Sequence, residues 1–424
     1  MNSIVEGTTR YLTKVLLAVS FVACAACAEP IETEPPNGEP ADPSEPVTGD
    51  NPAFLIQVET QTLDGTRFVY LAVVEDIADP VDLTEAIEFG GTTRLLTAFG
   101  DVFAFEAESL EITRFDVGED RSLTELDEFT MSGLGITSYQ ASTLFLSETT
   151  AVYVDAPTRQ FVWWNPSALE IIEAVPFPME GMPEGLLVGQ PTLSFDGQTI
   201  IVPIYNIDFT TLESVHGARV LLVPVDDRQA VSMVVDERCP YSSLGGVIDP
   251  SSGDYILVGD ALQGFANHYS IPSSGAGCLL RIRDGEAGFD PDFMVEAASM
   301  NPEGFDDLAG FIIADDQFLA LFRDEITAPI AELTNPGSYF GGEGSAFAPY
   351  VGSTSDFVGT RVPNTDGQNW FGFPSVVDED LIVIPANIDD RGPDSTSNVY
   401  RMTSSGAEVL VEQPGFVRRI DRIR

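Results

Sequence analysis

An all-β, seven-bladed β-propeller is the fold this sequence predicts, on three observations. Short apolar, β-branched runs separated by turn residues recur from about residue 54 to the C-terminus. The runs group into units of like design, about 45–55 residues apart. Long helical patterns are nearly absent, and only Pro80–Ile87 suits one short helix.

The stretch Thr149 to Ile172 shows the unit most clearly. Ala151–Val154 is one strand, and Asp155-Ala156-Pro157-Thr158 is a turn. Gln160–Trp164 is the next strand, ended by Asn165-Pro166, and Leu169, Ile171 and Ile172 begin a third. Along the chain, Phe54–Thr62 and Arg67–Glu75 flank the hairpin signal Leu63-Asp64-Gly65-Thr66. Val102–Phe105 and Glu111–Val117 form the next pair, and Thr143–Leu146 precedes the unit above. Thr192–Phe195, Thr199–Ile204 and Ala218–Val225 follow, then Gly246–Ile248, Tyr255–Val258 and Cys278–Ile282. Phe311–Ala314 and Phe318–Phe322 turn at Asp315-Asp316. Ser375–Val377, Leu381–Pro385 and Asn398–Thr403 come last, with Ala407–Val411 outside them.

Six complete units begin near residues 92, 135, 188, 241, 305 and 371. Residues 54–89 supply three strands of a seventh, and Phe416–Ile423 its fourth. Pairing of the N- and C-terminal strands closes the ring and removes exposed sheet edges. Eight blades, or two sandwiches, are the competing architectures; a single ring is preferred because no linker interrupts residues 53–424.

The N-terminus sets a compartment. Arg10 and Lys14 precede the apolar run Val15–Ala23, too short to span a bilayer and laid out as a signal peptide. Cys24 and Cys27 each follow a small residue, as in a bacterial lipoprotein signal where a cysteine is acylated. Ordinary cleavage at Ala26-Cys27-Ala28 is the rival reading. Residues 28–52 are mostly Pro, Glu, Asp, Gly and Thr, with too few apolar side chains to repay the entropy of folding. Extended at roughly 3 Å per residue, this acidic tether reaches about 70 Å. The expected organisation is a lipoprotein-type signal peptide at 1–27, a disordered tether at 28–52 and a propeller at 53–424, placed in the cell envelope.

Composition narrows the chemistry. The chain has 67 Asp plus Glu against 20 Lys plus Arg, a formal charge of −47, which repels nucleic-acid phosphate. Its one lysine, Lys14, lies in the signal segment, so Schiff-base catalysis is excluded from the mature domain. The two histidines are His216 and His268, with Ser214 and Ser270 nearby. Such i,i+2 neighbours are not posed for attack, and no G-x-S-x-G elbow occurs. Cys239 and Cys278 are the only cysteines of the body and are expected to form a structural disulfide. The acidic doublets Asp226-Asp227, Asp306-Asp307, Asp315-Asp316 and Asp389-Asp390 read as turn residues facing water. No cofactor is expected, with calcium, which favours such oxygen clusters, as the alternative, although no D-x-D-x-D-G loop is present.

Arginine is the rarer charge. Arg281 and Arg283 alternate on one strand, and Arg418, Arg419, Arg422 and Arg424 crowd the C-terminus. If the last strand is innermost, Arg418 and Arg422 are candidates to hold an anion at the channel; pairing with the abundant acids is the plainer reading. Trp163, Trp164 and Trp370, with Phe371 and Phe373, are expected in core or inter-blade packing, and an aromatic platform is the sharper alternative.

Three stretches carry a family resemblance: Trp164-Asn165-Pro166 with Leu169-Glu170-Ile171; Arg238-Cys239 with Cys278–Ile282 and Phe289–Phe293; and Pro414–Arg418 with Arg422-Ile423-Arg424. In them the chain resembles the propeller lipoproteins encoded with the myxochelin siderophore biosynthesis genes. The resemblance implies an envelope propeller with a link to iron acquisition, and implies no catalytic residues. The expected function is a non-catalytic, monomeric binding or scaffolding module, lipid-anchored to the membrane, with an envelope protein or small ligand as partner. Direct siderophore handling is the first alternative, and a hydrolase with its site at the channel mouth is the second.

Overall fold

The structure is a computed structural model. It describes residues 52–423 apart from 207–212, 240–244, 260–274, 327–344, 366–369, 386–394 and some positions singly or in pairs. The signal segment and the tether up to residue 51, with Cys24 and Cys27, lie outside the described residues, as do His268, Ser270, Phe371, Asp389-Asp390 and Arg424.

Among the described residues, 29 strands form seven antiparallel sheets. Blade 1 holds β1 (Phe54–Gln61), β2 (Arg67–Val74) and β3 (Ile87–Gly90). Blade 2 holds β4 (Arg94–Ala98), β5 (Asp101–Phe105), β6 (Glu111–Val117) and β7 (Leu123–Thr130). Blade 3 holds β8 (Thr143–Ser147), β9 (Thr150–Asp155), β10 (Gln160–Asn165) and β11 (Glu170–Pro176). In blade 4 the short β12 (Leu187–Val188) and β13 (Thr192–Leu193) both pair with β14 (Thr199–Tyr205), followed by β15 (Ala218–Pro224) and β16 (Ser232–Asp236). Blade 5 holds β17 (Gly246–Ile248), β18 (Tyr255–Val258), β19 (Cys278–Ile282) and β20 (Phe289–Glu296). Blade 6 holds β21 (Leu308–Ala314), β22 (Gln317–Ile326), β23 (Ser345–Ser353) and β24 (Val358–Arg361). Blade 7 holds β25 (Gly372–Val377), β26 (Asp380–Pro385), β27 (Thr396–Thr403) and β28 (Gly406–Pro414). The last strand, β29 (Phe416–Arg422), returns to pair with β1, so blade 1 reads β29-β1-β2-β3. The protein is a seven-bladed β-propeller closed by its terminal strands.

Strands β8, β13, β17, β21, β25 and β29 touch one another in turn, which makes β29 the innermost strand of blade 1. The short helix expected at Pro80–Ile87 is absent. Asp82 instead accepts from Thr84 N at 2.9 Å and Thr84 Oγ1 at 2.7 Å, and Ile87 opens β3. So short a segment cannot repay helix nucleation, and Asp favours the local turn.

Seven apolar clusters occupy the seven junctions between neighbouring blades. Side chains alternate across each strand, so one strand feeds two clusters. On β1, Ile56 and Val58 pack towards blade 7 while Leu55 packs towards blade 2. Inner strands buried on both faces therefore read as continuous apolar runs, as in Thr199–Tyr205.

Ring closure has its own chemistry. Gly415 precedes β29 with φ +74°, and an added Cβ would lie 2.7 Å from Val58 Cγ1 and 2.9 Å from Glu59 O. The buried Gln413 donates to Asp79 O at 2.8 Å and accepts from Val81 N at 2.7 Å, tying blade 7 to blade 1. In the β1–β29 ladder Gln57 faces Arg419 and Val58 faces Val417, leaving Arg418 as the extra residue of a bulge. A bulge re-aims its side chain, and Arg418 pairs with the fully buried Glu59. Blade 6 carries a buried pair at the same end of its two inner strands with the signs reversed. There Asp307, just before β21, meets Arg323 of β22 at 2.9 Å, with Phe347 against the guanidinium at 4.8 Å.

Candidate functional site

Arg418 and Arg422 lie on the innermost strand as expected, but the structure does not bring them together. Four residues along a strand separate them by about 13 Å. Arg418 is held by Glu59, and Arg419 by Asp421 at 2.6 Å. The three tryptophans are buried in packing. Trp164 meets Phe103, Phe129 and Phe145 between blades 2 and 3, with centroids 5.3–5.8 Å away. Trp163, its neighbour on β10, faces blade 4, where Arg228 lies 4.3 Å over its ring. Trp370 donates to Thr365 O at 2.9 Å and packs on Tyr400 between blades 6 and 7. His216 is exposed, with Nε2 3.1 Å from Glu237 O.

Cys239 and Cys278 form a disulfide, with Cα atoms 6.1 Å apart, in the cluster between blades 4 and 5. Arg238 beside it donates to Asp290 O at 2.8 Å and Pro291 O at 2.6 Å. Of the acidic doublets, Asp226-Asp227 and Asp315-Asp316 are exposed as expected. Asp307 is not: it is buried against Arg323, because an arginine on the neighbouring strand compensates its charge.

One arginine recurs at the same register in three blades. Arg114, Arg281 and Arg401 stand opposite Phe103, Ile256 and Ile382, and each pairs with the aspartate two residues before that partner. The pairs are Arg114–Asp101 at 2.6 Å, Arg281–Asp254 at 3.3 Å and Arg401–Asp380 at 2.7 Å. A diagonal across two antiparallel strands is within reach of a long side chain.

In blade 5 this pair opens into a pocket of about 450 Å³ shared with blade 6, within the usual range of about 300–1,000 Å³ for small-molecule sites. Its walls are hairpin turns: residues 249–254 between β17 and β18, Asp316 between β21 and β22, and residues 353–357 between β23 and β24. Asp249 Oδ1 accepts from Ser251 N at 2.9 Å and Ser251 Oγ at 2.7 Å, and its Oδ2 accepts from Ser252 Oγ at 2.9 Å. Arg281 is fixed between Asp254 and Asp290 and lies 4.5 Å over the Phe293 ring. Arg283 also reaches Asp290, at 2.9 Å. The Arg281 hydrogen bond, then the Asp292 amide, hold Asp290 down at about 2, so it stays ionised at neutral pH. A smaller pocket of about 180 Å³ lies between blades 2 and 3, where Asp101 and Arg114 meet Glu148. There burial pushes the Asp101 carboxyl up, against the opposing pull of Arg114.

Sequence reasoning named Arg281 but passed over Asp249, Ser251, Ser252 and Ser353–Ser355. Their signal, serines beside aspartates in two short segments, is also that of ordinary turns.

A search with family models and with curated sequences returns no match. Solved structures do align. One from Bacteroides uniformis, provisionally assigned as a 6-phosphogluconolactonase, is 10% identical, with TM-score 0.53, over 88% of this chain and 100% of that one. A hypothetical selenium-binding protein from Sulfolobus tokodaii has the same identity and TM-score, over 88% and 93%. A quinonprotein alcohol dehydrogenase-like protein from Bacteroides thetaiotaomicron aligns at TM-score 0.48 and 11% identity, over 87% and 78%. The likeness is one of fold alone.

Proposed function

We propose that the protein is an exported, lipid-anchored propeller that binds a ligand or partner at the cell envelope without catalysing a reaction. The observation that carries this reading is the pocket between blades 5 and 6. It is walled by short turns, its arginine is held by Asp254 and Asp290, and Asp249 is held by Ser251 and Ser252. Asp290, at about 2, is far from the near-neutral value a general acid or base needs. The signal-like run, the candidate acylated Cys24 or Cys27 and the acidic tether support the anchor. Direct siderophore handling, implied by the family resemblance, meets an obstacle: ferric catecholates are anionic, and both the chain and this pocket are predominantly acidic.

The test has two arms. Fatty-acid labelling of the full chain in a bacterial host should be lost on replacing one of Cys24 and Cys27; labelling of neither removes the anchor. Calorimetric titration with calcium, ferric catecholate and iron-free catecholate at fixed ionic strength should give no saturable binding of the ferric complex. Tight binding of that complex, lost with Arg418→Gln or Arg422→Gln, would replace this reading with siderophore handling.

Hydrolysis is a second reading, favoured by Asp101. Burial raises its carboxyl, as a general acid requires, and Glu148 lines the same pocket. Turnover of aryl glycosides or lactones, abolished by Asp101→Asn and by Glu148→Gln, would establish it; no turnover ends it.

A further inference from the structure

We infer that the pocket between blades 5 and 6 is a binding site for a neutral polyhydroxylated ligand, a saccharide ring or similar polyol. The inference deepens the binding reading and rests on it. Charge decides the first point. Among the described residues that line the pocket, Asp249, Asp254 and Asp316 oppose Arg281 alone, and its guanidinium is already drawn to Asp254 and to Asp290 behind it. An anion therefore meets net negative charge with no uncommitted cation. Among the described residues no three acidic, histidine or cysteine side chains converge as metal ligands.

Hydrogen-bond polarity decides the second point. Ser251 and Ser252 direct their hydroxyl protons to Asp249, and Ser252 Oγ also accepts from Asp254 N at 3.3 Å, so what these oxygens still offer is acceptor capacity. The carboxylates are acceptors only. Thr354 donates to Asp316 O at 3.3 Å, and Ser353 and Ser355 share a bond at 3.0 Å, so one hydroxyl of that serine pair keeps a proton to donate. A complementary ligand must bring several donors and an acceptor beside them. Adjacent O–H groups, each donor and acceptor, meet that demand without carrying charge. Phe357 and Ile256 add an apolar wall suited to the C–H face of a ring.

The probes are three sugars with the same pyranose ring and different charge: methyl glucoside, glucuronate, and glucosamine in mildly acidic buffer. Each is titrated into the full chain by calorimetry at low ionic strength. Methyl glucoside should bind saturably, glucuronate at least tenfold more weakly, and added salt should narrow the gap. Arg281→Gln and the exposed Asp316→Asn should each weaken methyl glucoside binding about tenfold. Arg401→Gln removes the equivalent ion pair in blade 7, away from the pocket, and should leave binding unchanged. It therefore separates a local effect from general loss of stability.

Glucuronate binding as tightly as methyl glucoside would overturn the charge argument. Sugar binding indifferent to both pocket variants would overturn this site while leaving a binding protein. Failure of all three sugars, alongside calcium or catecholate binding that the pocket variants abolish, would overturn the ligand class but keep the site. Silence from every probe would overturn the ligand class and the pocket as a small-molecule site, leaving a protein partner as the reading.

Discussion

Replacing Arg418 with methionine should destabilise the ring out of proportion to the one contact removed. Glu59 is fully buried, so Arg418→Met leaves a carboxylate inside the protein without its main counter-charge. Breaking a buried pair from one side costs about 3–5 kcal/mol. Arg67 lies 3.8 Å from the other carboxylate oxygen but is half exposed, so it compensates only in part. The expected loss is therefore near the lower end, about 3 kcal/mol. Glu59→Gln should cost less, because the Arg418 side chain retains 16% exposure and can be solvated. The double variant should recover most of the loss, giving a coupling of about 2 kcal/mol in the cycle. Urea unfolding followed by fluorescence of the buried tryptophans measures all four proteins. Arg418→Met within about 0.5 kcal/mol of the parent, or a double variant as unstable as the sum of its parts, would refute the argument.

Three further outcomes are expected. Replacing Cys239 and Cys278 by alanine opens a loop with a sequence separation of 39; chain entropy puts the loss at about 4 kcal/mol, read as a lower urea midpoint that dithiothreitol does not lower further. Gly415→Ala should cost about 2 kcal/mol or more, from the left-handed backbone and the close approach of β1, with a faster unfolding rate as a second readout. Asp290 titrates at about 2 in the folded protein against an ordinary 3.8, so the stability it confers is present above about pH 4 and lost as the pH falls through about 2. The stability difference between the parent and Asp290→Asn should shrink over that window; a gap that persists unchanged to pH 2 would contradict the assignment.

Blade count and closure were legible in the chain because inner strands are covered on both faces. Runs such as Val102–Phe105 and Thr199–Ile204 stand out against turn residues, and the unit starts near 92, 135, 188, 241, 305 and 371 match the strands that open blades 2 to 7. Outer strands were harder to see. The segment of β7, LTELDEFT, exposes most of its side chains and carries three acids, so its apolar signal is weak. Strand β23 contains Pro349, a residue that argues against a strand on sequence alone. The Cys239–Cys278 pairing followed from there being two cysteines in the body.

The pocket was not legible, for a reason that also limits what any single propeller sequence reveals. Its walls come from turns up to about a hundred residues apart, which become neighbours only when blade 5 packs on blade 6. The recurring Arg–Asp pairs were hidden likewise, since the partners sit on different strands and only the register aligns them. By itself the sequence determined the β architecture, the closing strands and the disulfide, because local periodicity and residue count carry that information. Tertiary structure alone decided which charges are matched, that Arg418 serves Glu59, and where a ligand has room, because electrostatics and cavities depend on distances between segments.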